Sequence, residues 1–137
     1  MILNVLVETT QATDELDAAI TAALGYTSEM IVINDDLFDI PFDDQVQCRV
    51  ERQFFTGDIT HMLTVFFVGA TPPAVETDIM LAQALAQHSN ARVYAERESD
   101  RFPDDFVRVL ASGELQPVEI DQSDDGLRFT LREGIPA

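Results

Sequence analysis

Lysine and tryptophan are absent from this chain, and cysteine occurs once, as Cys48. A single thiol cannot form a disulfide within the chain, so the sequence lacks the covalent framework of small secreted domains and fits a reducing cytoplasm. No apolar run approaches the ~20 residues that a membrane-spanning helix requires. The first ten residues also lack the basic region and cleavage pattern of a signal peptide. We therefore expect a cytoplasmic protein.

Positive charge is scarce as well. Eight basic residues, all of them arginine, stand against 25 aspartates and glutamates, and the formal net charge is −17 at pH 7. Such a field repels nucleic acid and anionic membranes and attracts basic surfaces, so we expect no nucleic-acid partner and no membrane partner. A GC-rich genome with an acidic proteome, or adaptation to high salt, would give the same balance. Charge therefore indicates the sign of a partner without establishing that one exists.

Motifs for metal and phosphate chemistry are missing from the sequence. No CxxC, HxxxH or HExxH spacing occurs, and the six glycines are scattered rather than grouped in a phosphate-binding loop. The run 121–126, DQSDDG, resembles the start of a calcium loop, but Arg132 stands at the twelfth position, where such a loop requires a glutamate. We predict no metal site and no cofactor, and we interpret this run as an acidic turn.

Cys48 and His61 are the pair that could suggest nucleophilic catalysis, which needs a nucleophile beside a base. Both fall on the apolar side of a predicted hairpin, where a small buried cysteine and a core histidine account for them. His88 falls late in a predicted helix, where an imidazole suits the negative end of the helix dipole. The sequence therefore favours a protein that is not an enzyme, and we predict no catalytic residues.

The most informative stretch is 45–69, QVQCRVERQFFTGDITHMLTVFFVG. Its period-two alternation around Gly57-Asp58 predicts a β-hairpin with a two-residue loop, open to solvent or a partner on its mixed side. The predicted cross-strand pairs are Phe54 with His61, Arg52 with Leu63, Val50 with Val65 and Cys48 with Phe67. The predicted core side comprises Val46, Cys48, Val50, Phe54, Ile59, His61, Leu63, Val65 and Phe67.

The remaining chain predicts two helices and further strands. One helix is capped by Thr13 and stops at Gly25, and a second begins at Thr71 and runs to about Ser89. Their predicted buried stripes are Leu16, Ala19, Ile20, Ala23 and Leu24, and Val75, Ile79, Ala82, Leu85 and Ala86. Further strands are predicted at 2–8, 29–33 and 91–97 and in the C-terminal region, where Pro117 indicates an edge strand or a bulge.

This element order predicts a single α+β domain over residues 1–137. We expect a two-layer sandwich in which two helices pack on one face of a mainly antiparallel sheet, with a β-rich C-terminus.

Two segments interleave acidic and aromatic residues: NDDLFDIPFDD at 34–44 and SDRFPDDF at 99–106. Carboxylates attract a basic partner over a distance, and interleaved aromatic residues supply apolar area that loses water on contact. An ordinary surface loop whose aromatic residues fold back onto the core is the alternative. The predicted partner-binding residues are Asp35, Asp36, Phe38, Asp39, Phe42, Asp43, Asp44, Asp104 and Asp105.

Three hypotheses about function follow from the sequence. The first is a small acidic binding or neutralising protein that occludes a basic protein partner, such as a toxin or effector, as bacterial immunity proteins do. The second is a small-ligand or enzymatic domain with a pocket near His61. The third is a structural or assembly subunit that uses the open sheet face, including a homodimer formed through that face. A basic partner would favour the first hypothesis, a pocket around His61 the second, and a symmetric dimer the third.

Overall fold

The computed structural model describes residues 2–35, 45–96, 106–126 and 128–132. Over these residues the chain forms two helices and nine strands. The helices are α1 (Thr13–Leu24) and α2 (Asp78–His88). The strands are β1 (Ile2–Glu8), β2 (Ile31–Asn34), β3 (Cys48–Phe54), β4 (Thr56–Gly57), β5 (His61–Phe67), β6 (Arg92–Glu96), β7 (Phe106–Val109), β8 (Leu115–Gln122) and β9 (Arg128–Arg132).

All nine strands join one sheet in the order β2-β3-β5-β1-β6-β7-β8-β9-β4. Its pairs are antiparallel apart from β2–β3 and β4–β9. The two helices contact each other, and their buried residues form one core with β1, β3, β5, β6 and β7. The predicted α+β fold, with two helices on one face of a mainly antiparallel sheet and a strand-rich C-terminus, is confirmed.

The hairpin of β3 and β5 has the predicted register. Cys48 pairs with Phe67, Val50 with Val65, Arg52 with Leu63, and Phe54 with His61. The predicted two-residue loop is wrong, because Thr56 and Gly57 leave the hairpin to pair with β9. Because of this pairing, Ile59, which we predicted on the helix side, packs instead in a second hydrophobic cluster with Leu6, Tyr94 and Phe129. Phe54 is 54% exposed rather than part of the core.

Helix α1 follows its predicted apolar stripe, and all five stripe residues are buried. Gly25 ends the helix in the left-handed region, with φ of 75°, as predicted. The predicted cap is wrong: Thr13 is the first helical residue, and Ala12 precedes it without a side-chain cap.

Helix α2 begins later than predicted. Thr77 is its N-cap, and the Thr77 hydroxyl accepts a hydrogen bond from the Met80 amide at 3.1 Å. The segment that starts at Thr71 is held instead against the end of α1, because the Ala74 amide donates to the Leu24 carbonyl and the Tyr26 hydroxyl donates to the Thr71 carbonyl. Of the predicted stripe, Ala82 and Leu85 are buried within α2, Ile79 and Ala86 are half-buried, and Val75 is buried ahead of the helix.

The sheet curls back on itself away from the helices. Residues Thr56–Asp58 meet Phe129–Leu131 in a contact that we call the clasp. In the clasp, the Asp58 amide donates to the Phe129 carbonyl and the Leu131 amide donates to Asp58 Oδ2, both at 2.8 Å. The face opposite the helices is therefore concave and partly covered by the chain's own β8–β9 hairpin, rather than fully open as predicted.

Pro117 lies where its missing amide hydrogen is tolerated. The first half of β8 pairs with β7, and Val107 stands opposite Pro117, whereas the second half pairs with β9 from Glu119 onward. Each half of the strand therefore has a ladder on one side within the described residues. The predicted edge character of Pro117 holds locally, and the change of partner lets β8 turn across the concave face.

Candidate functional site

The concave face contains a cavity of about 980 Å³. It lies between the sheet, the clasp and the β8–β9 hairpin, so its walls come from segments far apart in sequence. Its apolar lining residues are Val5, Leu6, Phe54, Phe55, Met62, Tyr94, Phe106 and Phe129. Its polar and charged lining residues, with Gly126, are Asn4, Asp35, Glu51, Arg52, Gln53, Asp78, Glu96 and Gln122.

Strand register sorts much of this lining into two neighbouring rows. Met62 pairs with Leu6, and Leu6 pairs with Tyr94, which gives an apolar row across β5, β1 and β6. Two residues further along the strands, the register places Glu51, Thr64 and Asn4 side by side. The β1–β6 ladder ends at Leu6 and Tyr94, and Glu96, two residues beyond Tyr94 on β6, completes this row in the cavity lining. A carboxylate-bearing row therefore lies directly beside an apolar row, and we call it the acidic row.

The aromatic walls are fixed by contacts of their own. Phe55 and Phe129 meet edge to face with their ring centroids 4.7 Å apart, which joins the clasp to the cavity. Tyr94 is fully buried, and its hydroxyl donates to Glu8 Oε2 at 3.0 Å. Burial, followed by this hydrogen bond and the Glu8 charge, raises the pKa of Tyr94 to about 12. The tyrosine therefore stays neutral and keeps its ring in one place.

The cavity is acidic. Among the described residues that line it, four bear carboxylates, namely Asp35, Glu51, Asp78 and Glu96, and Arg52 is the one cation. Arg52 is already paired, because its Nη1 lies 2.5 Å from Asp17 Oδ1 on α1 and its Nε lies 3.1 Å from Asp35 Oδ1. A ligand entering the cavity therefore meets an excess of negative charge beside apolar side chains.

His61 lies on the helix side of the sheet and is not among the residues that line this cavity. Its ring stacks at a tilt on Phe54, with centroids 4.9 Å apart, and its Nδ1 lies 2.7 Å from the Thr60 hydroxyl. That hydroxyl donates to the Val7 carbonyl at 3.0 Å, so we assign the imidazole proton to Nδ1, from which it donates to Thr60. The arrangement fits a structural histidine.

We predict a pH dependence of stability from His61. Burial, followed by the nearby Arg52 charge, lowers the pKa of His61 from 6.5, against smaller opposite effects of Asp35 and Asp17. The unfolded chain then binds the proton more readily, so the stabilising contribution is present above pH 6.5 and is lost as pH falls below that value. Thermal melts between about pH 7.5 and pH 5.5 should show a falling melting temperature for the native protein and a smaller fall for His61→Gln.

The exposed His88 supplies the control for that comparison. His88→Gln should reproduce the native pH dependence, because this side chain lies on the surface in the last turn of α2. An equal fall in the melting temperature of the native protein and of His61→Gln would contradict the assignment.

Cys48 and His61 do not form a catalytic pair. They lie at opposite ends of the β3–β5 ladder, six residues apart along the strand direction, which corresponds to ~20 Å. Cys48 is fully buried, and this burial raises its pKa to about 12, which removes the reactive thiolate at neutral pH. Within the described ranges, no group of three histidine, cysteine or acidic side chains is arranged to hold a metal ion.

The sequence-predicted partner-binding residues lie largely outside the described residues. Of those residues, Asp35 alone is described, and it forms the ion pair with Arg52 and lines the cavity. The residues that lie outside the described ranges are Asp36, Phe38, Asp39, Phe42, Asp43, Asp44, Asp104 and Asp105. They stay predictions. Asp35 is the second residue of the first of the two segments, 34–44.

The cavity itself was not anticipated from the sequence. Its lining comes from β1, β3, β5, β6, β7, the β8–β9 hairpin, the start of α2 and residues Asp35 and Phe55 beside the strands, so no contiguous motif marks it. The available signal was the mixed character of the hairpin's outer side, which carries Glu51, Met62 and Phe66 among polar residues. That mixture indicated a face with a role beyond solvation.

Comparison of the chain with protein-family models, curated proteins and solved structures returned no match. Neither of the two helices in the described part of the chain has the length and apolar character needed to cross a bilayer. Any assignment of function therefore depends on the chemistry of the chain itself.

Proposed function

We propose that this protein binds a basic protein partner and occludes part of its surface, as an acidic inhibitor or neutralising protein does. The observation that carries the proposal is the concave face, where carboxylates lie beside apolar and aromatic side chains in a cavity of about 980 Å³. Of these apolar side chains, Phe54 is exposed, whereas Phe55, Met62 and Phe106 are half-buried. Both helices pack on the other face, and the chain's own β8–β9 hairpin covers this one only in part. The net charge of −17 gives the whole molecule the sign that attracts a basic surface.

The charge and the cavity perform different tasks in this proposal. Long-range attraction between the acidic protein and a basic surface raises the rate of encounter, whereas apolar contact in a desolvated patch lengthens the life of the complex. The first acidic-aromatic segment, 34–44, begins with the last residue of β2, and the second, 99–106, ends with the first residue of β7. They supply further carboxylates and aromatic residues of the same chemistry.

The test begins by isolating the partner from the source cell with the immobilised protein at low salt. The purified partner should carry a basic surface, and its association rate should fall steeply as ionic strength rises while its dissociation rate changes little. A partner without a basic surface, or an association rate that does not respond to salt, would contradict the proposal.

Variants of the first acidic segment separate charge from apolar contact. Replacing Asp36, Asp39, Asp43 and Asp44 with asparagine should slow association and flatten its salt dependence. Phe38→Ala or Phe42→Ala should speed dissociation, because these variants remove apolar area and leave charge unchanged. Thermal melts show whether each variant is folded. Unchanged affinity in both sets of folded variants would remove this segment from the interface.

A small-ligand domain is the second candidate, and the size of the cavity favours it. A volume of about 980 Å³ lies near the upper end of the range typical of small-molecule sites. The ligand would have to be cationic and partly apolar for the reasons given above. The site would lie on the concave face and not around His61, which the sequence had suggested.

A further inference from the structure

We propose that the concave cavity is an anchor site for an extended basic segment of the partner, with one arginine or lysine side chain on the acidic row and a large apolar side chain on the neighbouring apolar row. This inference rests on the proposed function and specifies its partner chemistry. The juxtaposition that carries it is a row with a carboxylate at each end, lying two residues along the strands from a row of buried and half-buried apolar side chains.

The acidic row has an ordered centre and two available ends. At its centre the Thr64 hydroxyl donates to Asn4 Oδ1 at 2.9 Å, and the backbone amide of Asn4 donates to Asp78 Oδ1 at 3.0 Å. At its ends the carboxylates of Glu51 and Glu96 make no hydrogen bond or ion pair within the described structure. A basic side chain can therefore bind these two carboxylates without breaking a hydrogen bond or ion pair that they already make within the described structure.

The spacing of the row suits a single side chain. Glu51 on β3 and Glu96 on β6 lie three strand intervals apart, which is about 14 Å on a flat sheet. The curl of the sheet brings side chains on its concave side closer together. A guanidinium or ammonium group between the two carboxylates is attracted by both, and the guanidinium can also donate two parallel hydrogen bonds to either one.

The apolar row sets the second requirement. Met62 and Leu6 lie two residues along their strands from Thr64 and Asn4, so the rows are ~7 Å apart. In an extended peptide, residues i and i+2 point to the same side and have this same spacing. A segment with a basic residue at i and a large apolar residue at i+2 therefore matches both rows, whereas adjacent residues would point to opposite sides.

The probe is the peptide acetyl-Gly-Arg-Ser-Trp-Gly-amide. Because the protein contains no tryptophan, the peptide's indole is the sole tryptophan reporter in the mixture. We expect its emission to shift to the blue on binding. Replacing arginine with citrulline, which keeps the shape and removes the charge, should weaken affinity at least tenfold. A second control peptide with the order Gly-Arg-Trp-Ser-Gly, in which arginine and tryptophan are adjacent, should also bind at least tenfold more weakly.

The matching protein variants locate the binding. The double variant Glu51→Gln, Glu96→Gln should weaken binding of the arginine peptide at least tenfold and leave the citrulline peptide unaffected. The control double variant Glu29→Gln, Glu114→Gln makes the same change in net charge at exposed positions outside the cavity. It should change affinity less than twofold.

Each other outcome overturns the inference, and some leave the proposed function standing. No binding of the peptide at millimolar concentration removes the anchor site, as does equal binding of the citrulline peptide. Equal loss in the two double variants would show a diffuse electrostatic effect, which is compatible with a basic partner that binds elsewhere. A peptide that binds with the expected pattern but does not compete with the isolated partner would instead remove this cavity from the proposed interface.

Discussion

Leu63→Ala is expected to lower the free energy of unfolding by ~2–5 kcal/mol. Leu63 is 1% exposed and lies at the centre of the sheet, opposite Val5 on β1 and Arg52 on β3. Its side chain belongs to the core that the helices cover, and packed neighbours on both strands limit how far that core can relax into the space left behind. Urea denaturation of the two proteins measures the difference.

Leu115→Ala provides the matched control, because it deletes the same atoms from a side chain that is 38% exposed at the start of β8. It should cost less than ~1 kcal/mol. A loss of that small size in a folded Leu63→Ala protein would mean that the covered side of the hairpin has been misidentified.

Gly57→Ala is expected to lower the free energy of unfolding by ~2–4 kcal/mol. Gly57 has φ of 89°, and a Cβ added there would overlap the carbonyl oxygen of Phe129, which is backbone and cannot swing aside. About 1–2 kcal/mol follows from the left-handed conformation, and a similar amount follows from weakening the two hydrogen bonds of the clasp. The peptide of the anchor test should also bind more weakly, because the clasp forms one wall of the cavity.

Gly113→Ala separates the energetic cost of the steric overlap from that of the left-handed backbone conformation. Gly113 has φ of 92°, close to that of Gly57, but a Cβ there would lie 3.1 Å from the end of the flexible Gln83 side chain. It should therefore show the conformational cost alone and leave peptide affinity unchanged. Equal losses of stability in the two variants would show that the clasp contributes nothing measurable. Chemical denaturation gives the comparison.

The features that the sequence predicted correctly are local ones. The β3–β5 register follows from a period-two pattern in which a slip of one residue would place Glu51 among the core valines and leucines. The stripe of α1 and its stop at Gly25 follow in the same way from helical periodicity and glycine's tolerance of positive φ.

The wrong predictions have tertiary causes. Thr71-Pro72-Pro73 has the composition of a helix start, but hydrogen bonds from Ala74 and Tyr26 hold this segment against the end of α1. Helix α2 therefore begins only after its N-cap, Thr77. The clasp joins two residues of the hairpin tip to a strand about 70 positions later, and no local pattern encodes such a pairing. Because the cavity depends on the clasp, its lining could not be assembled from the sequence.

The central claim, that the basic partner docks on the concave face, is tested most directly by the methyl signals of methionine. The chain has four methionines, of which Met62 lies in the cavity, Met30 packs against the helix-side core and Met80 is exposed on α2. In protein labelled with ¹³C at the methionine methyl groups, titration with the purified partner should shift the Met62 signal, assigned with Met62→Leu, and leave those of Met30 and Met80 in place. A shift of the Met80 signal with Met62 unchanged would place the partner on the helix side and contradict the account.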